Sequence, residues 1–143
     1  MTLTMNAAER ERFLADPHVA ILSVTAEEGR APLSVPVWYL YEPGGEISFV
    51  TGQDSRKMEL IRKAGRLSLT VQNEQLPYGY VFVEGAVTTI EQAHPEERRA
   101  LAERYLGAED AALYLESTSE IAHTMVVVRV RPEHWLSRDY AKQ

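Results

Sequence analysis

The heptapeptide TGQDSRK, residues 51–57, gathers groups that could hold an anion: the hydroxyls of Thr51 and Ser55 and the cations of Arg56 and Lys57. It follows a β-branched and aromatic run, ISFVT, and leads into SRKMELIRKAG, where Met58, Leu60 and Ile61 lie near one face with charges opposite. Exposed N–H groups at a helix start, the positive end of its dipole, two hydroxyls and two cations form a chemically sufficient phosphate site. Arg56 can engage two oxygens at once, while Lys57 acts as a point charge. The competing reading is a solvated first helical turn, although cations there are mildly unfavourable against the dipole. Local physics leaves both readings open.

The surroundings favour an anion. The 143-residue chain carries a formal net charge of −6, yet residues 54–66 hold five basic side chains against two acidic ones. An acidic protein with one basic island is not built for general nucleic-acid binding, which needs a basic face to neutralise phosphates. A second set of residues is aromatic: Trp38, Tyr39 and Tyr41, then Tyr78, Tyr80 and Phe82, then Trp135 and Tyr140. Such rings can be core or interface, or the walls of a slot for a planar ligand. Adjacent Trp38 and Tyr39 face opposite sides of a strand, so each face receives a ring.

Other chemistries lack their marks. With no cysteine, disulfides, thiolate metal sites and thiol nucleophiles are excluded. His18, His94, His123 and His134 show none of the pairings typical of metal ligation, so no metal site is expected. Nucleophile elbows, P-loops and dinucleotide-binding glycine fingerprints do not occur. The N-terminus lacks the layout of a secretory signal, and no apolar run approaches the ~20 residues of a membrane span, so a cytoplasmic location is the expectation.

The elements that position these groups follow from pattern. Hydrophobic content of 45% and charged content of 25% fit one soluble domain over 1–143. Asn6 with Glu9 predicts a capping box on a helix ended by Pro17. HVAILSVTA and APLSVPVWYLYE read as two hairpin strands, with Pro32 and Pro36 placing the second on an edge or at a bulge. EISFVT is a third strand, and Gly65 stops the helix after it. RLSLTVQN alternates as a fourth, and YVFVEGAVTTIE is a long fifth with a bulge or bend at Gly85. PEERRALAERYL is a helix between Pro95 and Gly107, residues 109–116 form another, and TMVVVRVRPEHWL closes the sheet. Six mostly antiparallel strands with segregated helices predict an α+β, mainly β, closed or partly closed barrel.

In this order the pieces resemble the pyridoxamine 5'-phosphate oxidase-like split-barrel flavin-binding proteins, and within them the flavin/deazaflavin-dependent oxidoreductases. The segments that carry the resemblance are V-P-V-W on a strand, T-x-x-x-S-R-K before a helix, and Y-x-x-V-E-G, within roughly residues 10–92. The resemblance implies a six-stranded antiparallel split barrel forming a homodimer, with the cofactor in a groove between subunits. It places the cofactor phosphate at Thr51, Ser55, Arg56 and Lys57. The ring would lie along Val35, Pro36, Val37 and Trp38 near Gln72, with Tyr78 and Tyr80 of the other subunit completing the slot. The shorter chain lacks the C-terminal arginine-and-histidine segment of the pyridoxamine phosphate oxidases themselves, so vitamin B6 phosphate is not the expected substrate. Coenzyme F420 is the expected cofactor and FMN the alternative. The implied activity is hydride transfer to a small unsaturated or carbonyl substrate. The alternative is a non-catalytic carrier of flavin, deazaflavin or haem, the last needing one of the four histidines as axial ligand.

Overall fold

The computed structural model describes residues 2–143. Helix α1 (Ala7–Ala15) is followed by strands β1 (Ala20–Val24), β2 (Leu33–Val37), β3 (Leu40–Tyr41) and β4 (Ile47–Gly52). Helix α2 (Arg56–Ala64), β5 (Arg66–Asn73) and β6 (Gly79–Gln92) come next, then α3 (Pro95–Leu106), α4 (Ala108–Ser117) and β7 (Met125–Asp139). No helix among the described residues is long and apolar enough to cross a membrane.

The strands form one antiparallel sheet in the order β2-β1-β5-β6-β7-β4-β3. Its two ends are consecutive in the chain, so residues 33–41 close the sheet into a split barrel, pairing with β1 at one end and with β4 at the other. The expected second strand is therefore two, and the count among the described residues is seven rather than six. The break falls at Trp38 and Tyr39, where the backbone N–H of Tyr39 donates to the Tyr105 hydroxyl at 3.2 Å in place of a ladder bond. Pro36, which has no N–H to offer, sits one residue before the end of edge strand β2.

Alternation decides what each strand buries. Inward residues line up across the sheet, Leu22 opposite both Val35 and Leu69, and Leu69 opposite Val83. Helix α2 adds Met58, Leu60 and Ile61, all at most 2% exposed, and packs on β1 and β5. Each such side chain contributes roughly 1.5–3 kcal/mol of hydrophobic stabilisation. The helix ends at Gly65, whose φ of 69° is the left-handed conformation that glycine adopts without a Cβ clash. At the N-terminus of α1 the Asn6–Glu9 capping box forms, each side chain accepting from the other's backbone N–H at 2.9 Å.

Tyr39 enters the core, 1% exposed, and its hydroxyl donates to the Leu14 carbonyl at 2.8 Å. Arg104 of α3 donates to the carbonyls of Leu14, Ala15 and Asp16, satisfying the C-terminal end of α1 and tying the late helices to the N-terminus. The α3–α4 pair is thereby anchored beside the break between β2 and β3.

Candidate functional site

A cavity of about 410 Å³ lies at that break. Pro36, Val37 and Trp38 form one wall, Val50, Thr51 and Lys57 another, and Arg98, Leu101, Ala102 and Tyr114 of the helix pair a third, with Val19 and Met125 at its margins. The volume lies within the roughly 300–1,000 Å³ common for small-molecule sites.

The junction after β4 supplies the polar end. Ser55 caps α2, its Oγ accepting from the Met58 N–H at 3.3 Å. Lys57 then points back to the barrel, where its Nζ donates to Thr51 Oγ1 at 2.6 Å. Thr51 is one of the few buried polar residues, 5% exposed. Burial pushes the Lys57 ammonium below its ordinary pKa, and among the described residues no carboxylate lies within ion-pairing distance of it. A half-buried cation whose hydrogen-bond partner is a neutral hydroxyl is poised to accept an anion.

Arg56, the other predicted cation, is turned away. It makes a two-pronged ion pair with Glu27 at 2.5 and 2.6 Å and a further one with Glu59 at 3.0 Å. These carboxylates answer the unfavourable placement of a cation at a helix start, and Arg56 holds the Glu27 carboxyl down to about 2. Of the residues expected to hold the cofactor, Pro36, Val37, Trp38, Thr51 and Lys57 line the cavity. Ser55 is spent on the helix cap. Val35 faces inward opposite Leu22 and packs on the core. Gln72 and Tyr80 are paired in register on β5 and β6 and do not line the cavity, and Tyr78 is 52% exposed just before β6.

The third wall carries no mark in the sequence. Arg98 donates to Thr118 Oγ1 at 2.7 Å, and Trp38 stacks on Tyr105 at 4.8 Å and 8°, with Tyr114 tilted against it at 5.9 Å. Nothing in the spacing of α3 marks Arg98, because the packing of the helix pair over Trp38 is a tertiary fact. None of the four histidines lines the cavity; His18 is stacked on Phe13 at 4.6 Å. Among the described residues no group of three metal-binding side chains comes together.

A second feature lies on the outer sheet face. Pro36, Ile21, Thr70, Phe82 and Leu136 face one another in register across β2, β1, β5, β6 and β7. Ile21 is 41% and Leu136 50% exposed, leaving an uncovered apolar row beside Tyr80 and Gln72.

The fold is an α+β split barrel, with a cationic, partly apolar cavity at its strand-to-helix junction. Residues 7–139 match the model of the pyridoxamine 5'-phosphate oxidase family, and the chain belongs to that family. Among solved structures it is similar to a conserved hypothetical protein of Mycobacterium tuberculosis (TM-score 0.75, 23% identity, 96% of this chain and 87% of that one). It is also similar to an F420 reductase (TM-score 0.64, 19% identity, 88% and 94%). A third is an FAD-binding protein of Mesorhizobium loti (TM-score 0.63, 22% identity, 95% and 96%). No curated protein matches the chain.

Proposed function

We propose that this chain is a cytoplasmic oxidoreductase that binds coenzyme F420, or alternatively FMN, and passes a hydride between it and a small unsaturated or carbonyl compound. The observation that carries the reading is Lys57, half-buried, without a carboxylate partner among the described residues and hydrogen-bonded to buried Thr51 in the wall of a partly apolar cavity. A phosphate fits this donor set, and the ring of the cofactor fits against Pro36, Val37 and Trp38. F420 is preferred because the V-P-V-W-Y strand and S-R-K junction resemble the deazaflavin subgroup, and the solved structures similar to this chain include an F420 reductase. When bound, such a cofactor supplies the hydride chemistry itself. The protein's part is to orient it, exclude water and present the substrate face. Turnover of reduced F420 or FMN with a panel of enones and quinones tests the activity. Tight cofactor binding with no oxidation of the reduced form by any acceptor would instead mark a carrier.

The working unit in this reading is a homodimer joined through the outer row of Ile21, Phe82 and Leu136. Pairing there would bring Tyr78 and Tyr80 of one subunit toward the cofactor of the other. Sedimentation is expected to give about twice the 16.1 kDa chain mass, and Leu136→Glu to shift the protein to monomer while leaving it folded. A wild-type monomer at micromolar concentration would remove the dimer from the account.

A further inference from the structure

The cavity has a second cation that the cofactor phosphate does not require. Arg98 reaches it from α3, whereas Lys57 reaches it from the start of α2. Among the described residues, the charged side chains lining the cavity are these two, and no aspartate or glutamate joins them. In a chain with 21 acidic residues that selection is informative. Arg56, Arg66, Arg129 and Arg131 engage carboxylates on the surface. Arg98 instead donates to the neutral hydroxyl of Thr118, as Lys57 does to that of Thr51. The Thr118 hydroxyl in turn donates to the Tyr114 carbonyl at 2.8 Å, so the contact ties Arg98 to α4 without neutralising it, in the cavity that Trp38 and Tyr114 also line.

We infer that Arg98 forms a second anion subsite, one that takes the carboxylate of a ligand whose planar apolar body lies against Trp38 and Tyr114. Guanidinium matches a carboxylate through two parallel N–H donors, which an ammonium cannot do. The inference rests on the cofactor reading only for its assignment of Lys57 to phosphate. The carboxylate can come from the substrate or from an acidic tail of the cofactor, and the same experiment separates the two.

The probes are 2-naphthoate and its neutral isostere 2-naphthamide, titrated by tryptophan fluorescence onto the protein as purified and again after saturation with F420 or FMN. Wild type is expected to prefer the naphthoate by about tenfold or more. Arg98→Gln should abolish the preference while still binding the naphthamide, which shows that the cavity is intact, and Arg98→Lys should restore part of it. Lys57→Gln should keep it. A preference that survives loading with either cofactor assigns the subsite to substrate; one that F420 abolishes and FMN, which carries no carboxylate, leaves intact assigns it to the acidic tail of F420. Equal binding of the two probes, or a preference unchanged in Arg98→Gln, would overturn the inference. Failure of F420 and FMN to bind, with the Arg98-dependent preference intact, would refute the cofactor reading and leave the subsite standing.

Discussion

Replacing Lys57 with alanine is expected to weaken binding of F420 or FMN by more than tenfold while leaving the fold intact. A charge-assisted hydrogen bond to phosphate contributes about 1.5–3 kcal/mol, and about 1.4 kcal/mol corresponds to a factor of ten in Kd. Lys57 is placed to make that bond because Thr51 holds its Nζ at 2.6 Å before any ligand arrives. The stability effect has the opposite sign from that of a structural lysine. Burial depresses the Lys57 pKa, so the folded protein disfavours its charged form relative to the unfolded chain. That cost is present below the depressed pKa and is relieved as pH rises through it, so the ligand-free alanine variant should melt no lower than wild type at neutral pH. The bound anion favours the ammonium, so cofactor affinity should fall as pH rises through the depressed Lys57 pKa, earlier than the ordinary lysine value of 10.5 would give. The checks are a fluorescence titration and a melting curve on each protein. Equal affinity in the alanine variant would remove Lys57 from the site.

Gly85→Val is expected to destabilise or prevent folding altogether. A Cβ at Gly85 would lie 1.8 Å from the Arg131 carbonyl oxygen and 2.8 Å from its carbon, distances that only backbone movement can relieve. The close approach belongs to a β-bulge. Glu84 faces His134 while Gly85 faces Pro132, so β7 carries an extra residue at Glu133. The bulge falls just past Val130, the last residue of β7 that pairs with β4, where the strand leaves one partner and continues with β6 alone. Moving this backbone would disturb the closing strands of the barrel, at a cost above the ~1–3 kcal/mol of ordinary overpacking. Gly52→Ala is the control: Gly52 has a negative φ and open space at its Cβ position, so its change should stay within about 0.5 kcal/mol. Urea denaturation of the two variants against wild type measures the difference; a normally stable Gly85→Val would contradict the observed register.

The elements that were legible in the sequence were those whose limits are set locally. Pro95 and Gly107 bound a helix, Asn6 and Glu9 cap another, and Gly65 ends α2 where its left-handed turn is needed. Gly85 announced an irregularity, and the register confirms one. The second strand reads as continuous in sequence because Val35, Val37 and Tyr39 alternate. Its division into β2 and β3 depends on Tyr105, 66 residues away, offering the Tyr39 N–H an acceptor. The site divides in the same way. Lys57 and Thr51 are linked by a short strand-to-helix junction, and Trp38 by its place after Pro36. Arg56 could not be told from Lys57 in sequence, because its partner Glu27 comes from the β1–β2 turn. Arg98 was invisible for the same reason, its wall being assembled by a helix pair folded back over the barrel.

The central claim is that the cavity beside Lys57 takes the phosphate end of a flavin-like cofactor. It is tested most directly by titrating the wild-type protein with F420 and with FMN at micromolar concentrations and following cofactor fluorescence. Saturable binding of at least one of them, at one per chain and displaced by inorganic phosphate at high concentration, is the predicted result. No binding of either cofactor across that range would contradict it.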